Sequence, residues 1–201
     1  MSLQLESTLG RAFGTSAVLV CDAADGLELR ERADLGCLLL TAAVDVAEII
    51  DAASVAAGVP LPAEPGMINT AHERLALWLS PRSWLVQCGI EAEGELAARL
   101  NGTFPDRRLH AALFTDYLCW LELRGAGSVD VLQDASFVSL ERNGLAVGHA
   151  KRTLVAGITG VIVRHSEIDW LIGIERSRAR YFTEWLTTTR TTICASRRQE
   201  Q

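Results

Sequence analysis

The sequence is poor in the groups from which reactive centres are built. Its four histidines are His72, His110, His149 and His165, and none pairs with another histidine or a cysteine at metal-ligand spacing. The five cysteines, Cys21, Cys37, Cys88, Cys119 and Cys194, are odd in number and widely spaced, with no C-x-x-C pair. That excludes a zinc-ribbon pattern and argues against a disulfide framework. Cys37, Cys88 and Cys119 fall in apolar runs, where a thiol behaves as a small hydrophobe. Reduced thiols in a cytoplasmic protein are therefore expected. No G-x-S-x-G occurs, and no cysteine sits in an evidently cationic setting, so no activated nucleophile is legible.

Long apolar runs are missing as well. The nearest, Val44 to Val59, is interrupted by Asp45, Glu48 and Asp51, so no membrane-spanning segment is expected. The first twenty residues hold Glu6 and a single basic side chain, Arg11, which does not fit a secretory leader. Nor is there a basic excess: 19 Lys and Arg face 25 Asp and Glu, for a net charge of −6. Such a balance repels phosphate backbones and anionic lipid, so neither nucleic acid nor membrane is expected as a partner.

What is present is the composition of a chain that buries a core. Of 201 residues, 49% are apolar and 22% charged, and the length suits a single domain over 1–201. A short strand is read at Ser16 to Cys21 and a turn at Ala23 to Gly26. Gly36 to Thr41 reads as a buried strand. Val44 to Ala57 has helical spacing through Val46, Ile49, Ile50, Ala53 and Ala57, and ends at Gly58 and Pro60. Residues 58–72, with Pro60, Pro62 and Pro65, read as a loop unsuited to a sheet. Arg74 to Ser80 and Trp84 to Cys88 read as a hairpin, and Glu91 to Leu100 as a helix stopped near Asn101. The second half repeats this order. Cys119 to Arg124 reads as a strand, and Ser128 to Ala135 as a helix with Ser128 as N-cap. Lys151 to Ala156 and Gly160 to His165 read as a hairpin, Asp169 to Ile174 as a strand. Ser177 to Thr187 reads as a helix with Tyr181, Trp185 and Leu186 on one side.

The two halves also share small motifs. Val44-Asp-Val46 and Asp51-Ala-Ala-Ser54 follow the first strand, as Val129-Asp-Val131 and Asp134-Ala-Ser136 follow its counterpart. The pattern predicts an α+β fold of duplicated β-α-β-β-α units with antiparallel sheets, over pseudo-repeats near 36–103 and 117–188.

The remaining chemistry is thin. Gly125-Ala-Gly-Ser-Val-Asp130 follows a strand and opens a helix, like the start of a dinucleotide fingerprint. Asp130 stands where the third glycine is needed, so a strand-to-helix turn is the better reading. His149-Ala-Lys-Arg152 clusters positive charge that suits a solvated hairpin entrance. Glu91 and Glu95 share a helix face that reads as outer and solvated. Trp78, Trp84, Trp120 and Trp170 fall in strands and read mainly as core, with room for one interface anchor. No catalytic, cofactor-binding or metal residue is assigned.

The segment from Pro60 to Cys88 carries Leu61-Pro-Ala-Glu-Pro65, Ala76-Leu-Trp-Leu-Ser-Pro81 and Ser83-Trp-Leu-Val86. It resembles the gamma subunit family of heterotetrameric sarcosine oxidase, where an LPxxPN loop precedes ALWLGPDEWLL. Gly66 replaces the asparagine, Ser80 the glycine, and Arg82-Ser83 the acidic pair. Leu121-Glu-Leu-Arg-Gly-Ala126 resembles the family's LRLSGPDA segment, Ala150 to Gly157 its AQTRLAGI strand, and Tyr181 to Leu186 its closing FWEWL helix. The resemblance implies ferredoxin-like units related to the folate-binding aminomethyltransferase fold. It implies a non-catalytic subunit of a flavoenzyme that oxidatively demethylates sarcosine and passes the one-carbon unit to tetrahydrofolate. FAD, FMN, NAD and tetrahydrofolate are then expected in partner subunits and no cofactor in this chain, with alpha, beta and delta subunits as partners. The alternative is a free-standing folate-binding or aminomethyltransferase-like protein, for which Asp130 and Glu122 are the available carboxylates. The loop at residues 58–72 is expected to be ordered by a partner.

Overall fold

The computed structural model describes residues 8, 9, 16–22, 26–136, 139 and 144–199. Its first described elements are β1 (Ser16–Asp22), β2 (Leu27–Arg32), β3 (Leu35–Ala42), α1 (Ile50–Ala57), β4 (Ile68–Ala71), β5 (Arg74–Ser80) and β6 (Ser83–Gly89). There follow α2 (Glu93–Thr103), β7 (Leu109–Leu113), β8 (Leu118–Arg124), α3 (Ser128–Ala135), β9 (His149–Val155), β10 (Ile158–Arg164), β11 (Asp169–Glu175) and α4 (Ala179–Gln199). They form two compact units.

The first unit comprises Asp34–Tyr117 with Gly148–Lys151. Its sheet has the order β4-β5-β6-β3-β7, and each pair is antiparallel. Strands β3, β5, β6 and β7 with α1 and α2 make a ferredoxin-like β-α-β-β-α-β unit. Period-two alternation decides which side chains meet the helices. Leu38 and Leu40 of β3, and Trp84, Val86 and Cys88 of β6, form one core with Ile49, Ala53, Ala57, Leu96 and Leu100. Helix α1 has no basic residue in its last turn. Cations from elsewhere serve its C-terminal carbonyls: Arg74 Nη1 donates to Ala57 (2.7 Å) and Arg99 Nε to Ala56 (2.8 Å).

The second unit comprises the described residues of Met1–Ala33, Leu118–Val147 and Arg152–Gln201. Its sheet has the order β1-β2-β8-β11-β10-β9. Strands β8, β10 and β11 with α3 and α4 repeat the plan of the first unit. The place that β7 takes beside β3 is taken beside β8 by β2, which comes from the other end of the chain. Its core joins Leu27, Leu29, Leu121, Leu123, Trp170, Ile172 and Ile174 from strands to Val131, Leu132, Ala179, Phe182 and Leu186 from helices.

Several elements differ from the sequence reading. The helix expected from Val44 starts only at Ile50, after a 3-10 turn over Val46–Glu48 that Asp45 caps through the Ala47 N–H. The loop is shorter than read, because Ile68–Ala71 pairs with β5 as an edge strand. The prolines stop before it, so only the preceding residues lack ladder donors. His72 and Glu73 then turn the hairpin with φ of 48° and 61°, the left-handed pair that a two-residue turn demands. Ala156 and Gly157, at 50° and 76°, do the same between β9 and β10. On α4 it is Phe182 and Leu186 that are buried, while Tyr181 is exposed. The turn read at Ala23 to Gly26 lies outside the described residues except for Gly26.

Candidate functional surface

The glycine motif opens on Gly125, whose φ is +108°; an added Cβ would sit 1.3 Å from the Gly26 carbonyl oxygen. The glycine is there for a close backbone crossing, which leaves no cradle for a pyrophosphate. Ser128 is not the N-cap; Gly127 holds that position. The Ser128 hydroxyl is fully buried, accepts from Trp170 Nε1 (3.1 Å) and donates to the Ile168 carbonyl (3.4 Å). It ties the start of α3 to β11.

Glu122 faces a ladder of alternating charge. Across the strands Arg30 stands opposite Glu122, and Arg124 opposite both Glu28 and Asp169. The Glu122 carboxylate is 9% exposed and accepts from Arg32 (3.1 Å) and Arg124 (3.0 Å); Arg124 also reaches Asp169 at 3.3 Å. Opposite charges directly across strands stabilise a sheet. Two guanidinium partners commit Glu122 to this network, so it is not a free carboxylate poised for proton transfer. Glu91 and Glu95 are exposed, as expected, whereas Glu93 turns inward and accepts from the Thr115 hydroxyl. Thr115 Oγ1 in turn accepts from the Cys37 N–H at 2.8 Å. His72, His110 and His165 are exposed, and His149 is half-buried beside exposed Lys151 and Arg152. Among the described residues, no group of three or more His, Cys, Asp or Glu side chains could hold a metal ion.

Cys37, Cys88 and Cys119 are buried free thiols. Burial, and then the nearby Glu31 carboxylate, push the Cys119 thiol up to about 12. Burial and Glu93 push Cys88 up as well. Neither is a nucleophile at neutral pH. Iodoacetamide at pH 8 should therefore leave both unmodified in the folded chain and label both in guanidinium, as read by peptide mass spectrometry. A thiol whose folded pKa is raised contributes its full stability below the unfolded value, about 8.5, and loses it as pH rises toward 12.

The proline loop makes hydrogen bonds within its own unit. Trp84 Nε1 donates to the Pro62 carbonyl (2.8 Å), the Leu61 N–H to Ser54 Oγ (2.9 Å), and Asn69 Nδ2 to the Pro60 carbonyl (3.1 Å). Val59, Leu61 and Pro62 are buried, while Pro60 and the tip, Ala63 to Pro65, are exposed. Trp84, Trp120 and Trp170 are at most 2% exposed, so they are core residues and not interface anchors. The exposed large apolar side chains of the first unit are Val55 on α1 and, at the end of β7, Leu113 and Tyr117, with the Tyr117 ring 4.6 Å from that of Phe114. In the second unit Ile168 and Tyr181 are exposed. Sequence reading missed the β7 group because it missed the strand. The small pair Ala111-Ala112 and the polar His110 mask its alternation.

Two units of this plan, each an antiparallel sheet with two helices, share the fold of an aminomethyltransferase. The aminomethyltransferase T of the glycine cleavage system from Bartonella henselae has a TM-score of 0.61 at 14% identity, over 80% of this chain and 45% of its own. The heterotetrameric sarcosine oxidase from Corynebacterium sp. U-96, in complex with pyrrole 2-carboxylate, contains a chain with a TM-score of 0.73. That match has 24% identity and covers 82% of this chain and 84% of the other. Residues 41–192 match the model of the sarcosine oxidase gamma subunit family, and the chain belongs to that family. Among curated proteins none matches.

Proposed function

We propose that the chain is the non-catalytic gamma subunit of a heterotetrameric sarcosine oxidase-type flavoenzyme. The observation that carries this reading is the family match over residues 41–192, which takes in most of both units. The glycine turn is filled by the chain's own backbone, Glu122 is bound in a charge ladder, and burial raises the thiols of Cys88 and Cys119. These placements fit a subunit whose role is structural. FAD, FMN, NAD and tetrahydrofolate then reside in alpha and beta partners, with a delta subunit completing the complex that demethylates sarcosine oxidatively and passes the one-carbon unit to tetrahydrofolate. The complex works in the cytoplasm. No described helix is long and apolar enough to cross a membrane. Membership of a subunit family favours this reading over a free-standing folate-binding protein.

The test is a purified chain examined for bound groups. It should show no flavin absorbance and no stoichiometric zinc, and calorimetric titration with tetrahydrofolate should give no heat of specific binding. Stoichiometric flavin, zinc or tetrahydrofolate would contradict the reading.

A further inference from the structure

The β7 edge of the first unit carries a side chain that does the work of a missing strand. β7 is the last strand of its sheet and pairs only with β3 among the described strands. The Phe114 N–H donates to the Cys37 carbonyl and the Ala43 N–H to the Arg108 carbonyl, both at 2.8 Å. In an antiparallel ladder this turns the backbone N–H and C=O groups of the even-numbered residues of β7 toward β3 and those of Leu109, Ala111 and Leu113 toward the outer edge, while the Leu109 and Ala111 side chains stay buried in the core. Ala111 is the middle one. Its N–H donates to Asn101 Oδ1 (3.0 Å) and its carbonyl accepts from Asn101 Nδ2 (2.9 Å). A carboxamide presents one acceptor and one donor, the pair an added strand would offer. Asn101 comes from the last turns of α2, which packs along β7.

An open edge ending in exposed apolar side chains, here Leu113 at 59% and Tyr117 at 49%, is a template for pairing with another chain. We propose that Asn101 is a built-in guard of this edge, its carboxamide standing in for a neighbouring strand. It thereby prevents a second copy of the chain from extending the sheet. This inference rests on the hydrogen bonds at Ala111 and not on the subunit reading.

Sedimentation velocity of the full chain over a range of concentrations tests it, with amide exchange at Ala111 as a second readout. Asn101→Ala should self-associate at a roughly ten-fold lower concentration than wild type, and the Ala111 amide should exchange about ten-fold faster, as expected for a lost pair of net hydrogen bonds. Adding Leu113→Lys, which places charge on the exposed edge, should reverse the association. Unchanged association in Asn101→Ala, or association that Leu113→Lys does not reverse, overturns the proposal. Should Asn101→Ala not fold, Asn101→Asp decides. It keeps the acceptor for the Ala111 N–H but loses the donor to the carbonyl, so it should associate more readily than wild type. Wild-type behaviour of Asn101→Asp would overturn the proposal.

Discussion

Trp84→Ala should cost the chain about 5 kcal/mol in urea unfolding, the sum of two separable losses. The first is volume. Trp84 is 1% exposed and lies in the core of the first unit with Leu38, Leu40, Leu96 and Leu100. Truncating a buried aromatic to alanine costs about 3–5 kcal/mol, because the neighbours close only part of the cavity. The second is the hydrogen bond from Nε1 to the Pro62 carbonyl. Trp84→Phe keeps most of the ring and removes that bond, and should cost about 1–2 kcal/mol. A near-zero cost for Trp84→Phe would mean that the proline loop is held by other contacts.

Arg164→Ala should cost about 3 kcal/mol, through groups left behind more than through lost charge pairing. Arg164 is 6% exposed. Its Nη1 donates to the Leu145 carbonyl (2.8 Å), its Nε to the Ser166 carbonyl (3.3 Å), and its guanidinium stands 4.8 Å over the Trp170 ring. It also pairs with Glu167, whose side chain is 78% exposed. Water screens that pair, so Glu167→Ala should change stability by less than about 0.5 kcal/mol. Removing the arginine strands the Leu145 carbonyl and deletes packing against Trp170. Arg164→Lys keeps the charge but not the planar fork and should fall between the two. If Glu167→Ala cost as much as Arg164→Ala, the ion pair and not the buried carbonyl would be the source.

These two side chains also mark what the sequence could and could not tell. Strands with strong alternation or continuous apolar runs were legible: β3, β5, β6, β8 and β11 lie close to where the pattern put them. β2 was not, because Leu27-Glu-Leu-Arg-Glu-Arg32 reads as charged. Its Glu31 is buried at 3% exposure beside Cys119, and its Glu28 and Arg30 belong to the cross-strand ladder. Glu28 and Arg30 also pair with each other within the strand, and a strand whose polar residues find partners on its own face and across the sheet has only a weak local signature. Ser128 shows the same limit, since its position suits an N-cap but its hydroxyl is taken by Trp170, 42 residues away. The family motif was legible for a physical reason. Leu61, Pro62 and Trp84 lie apart in sequence and are bound together in the structure by burial and one indole hydrogen bond. The loop's dependence on its own unit was not legible, because proline content alone does not say which surface a loop packs on.

The central claim is that this chain works as one subunit of a larger oxidase. An affinity tag on the chain in its source cell, followed by purification and native mass spectrometry, tests that claim most directly. The chain should be recovered in a stable complex with the other subunits of a sarcosine oxidase, in fixed stoichiometry and with sarcosine-dependent oxygen consumption. Recovery as a free chain, with flavin-carrying oxidase subunits assembled and active in its absence, would contradict it.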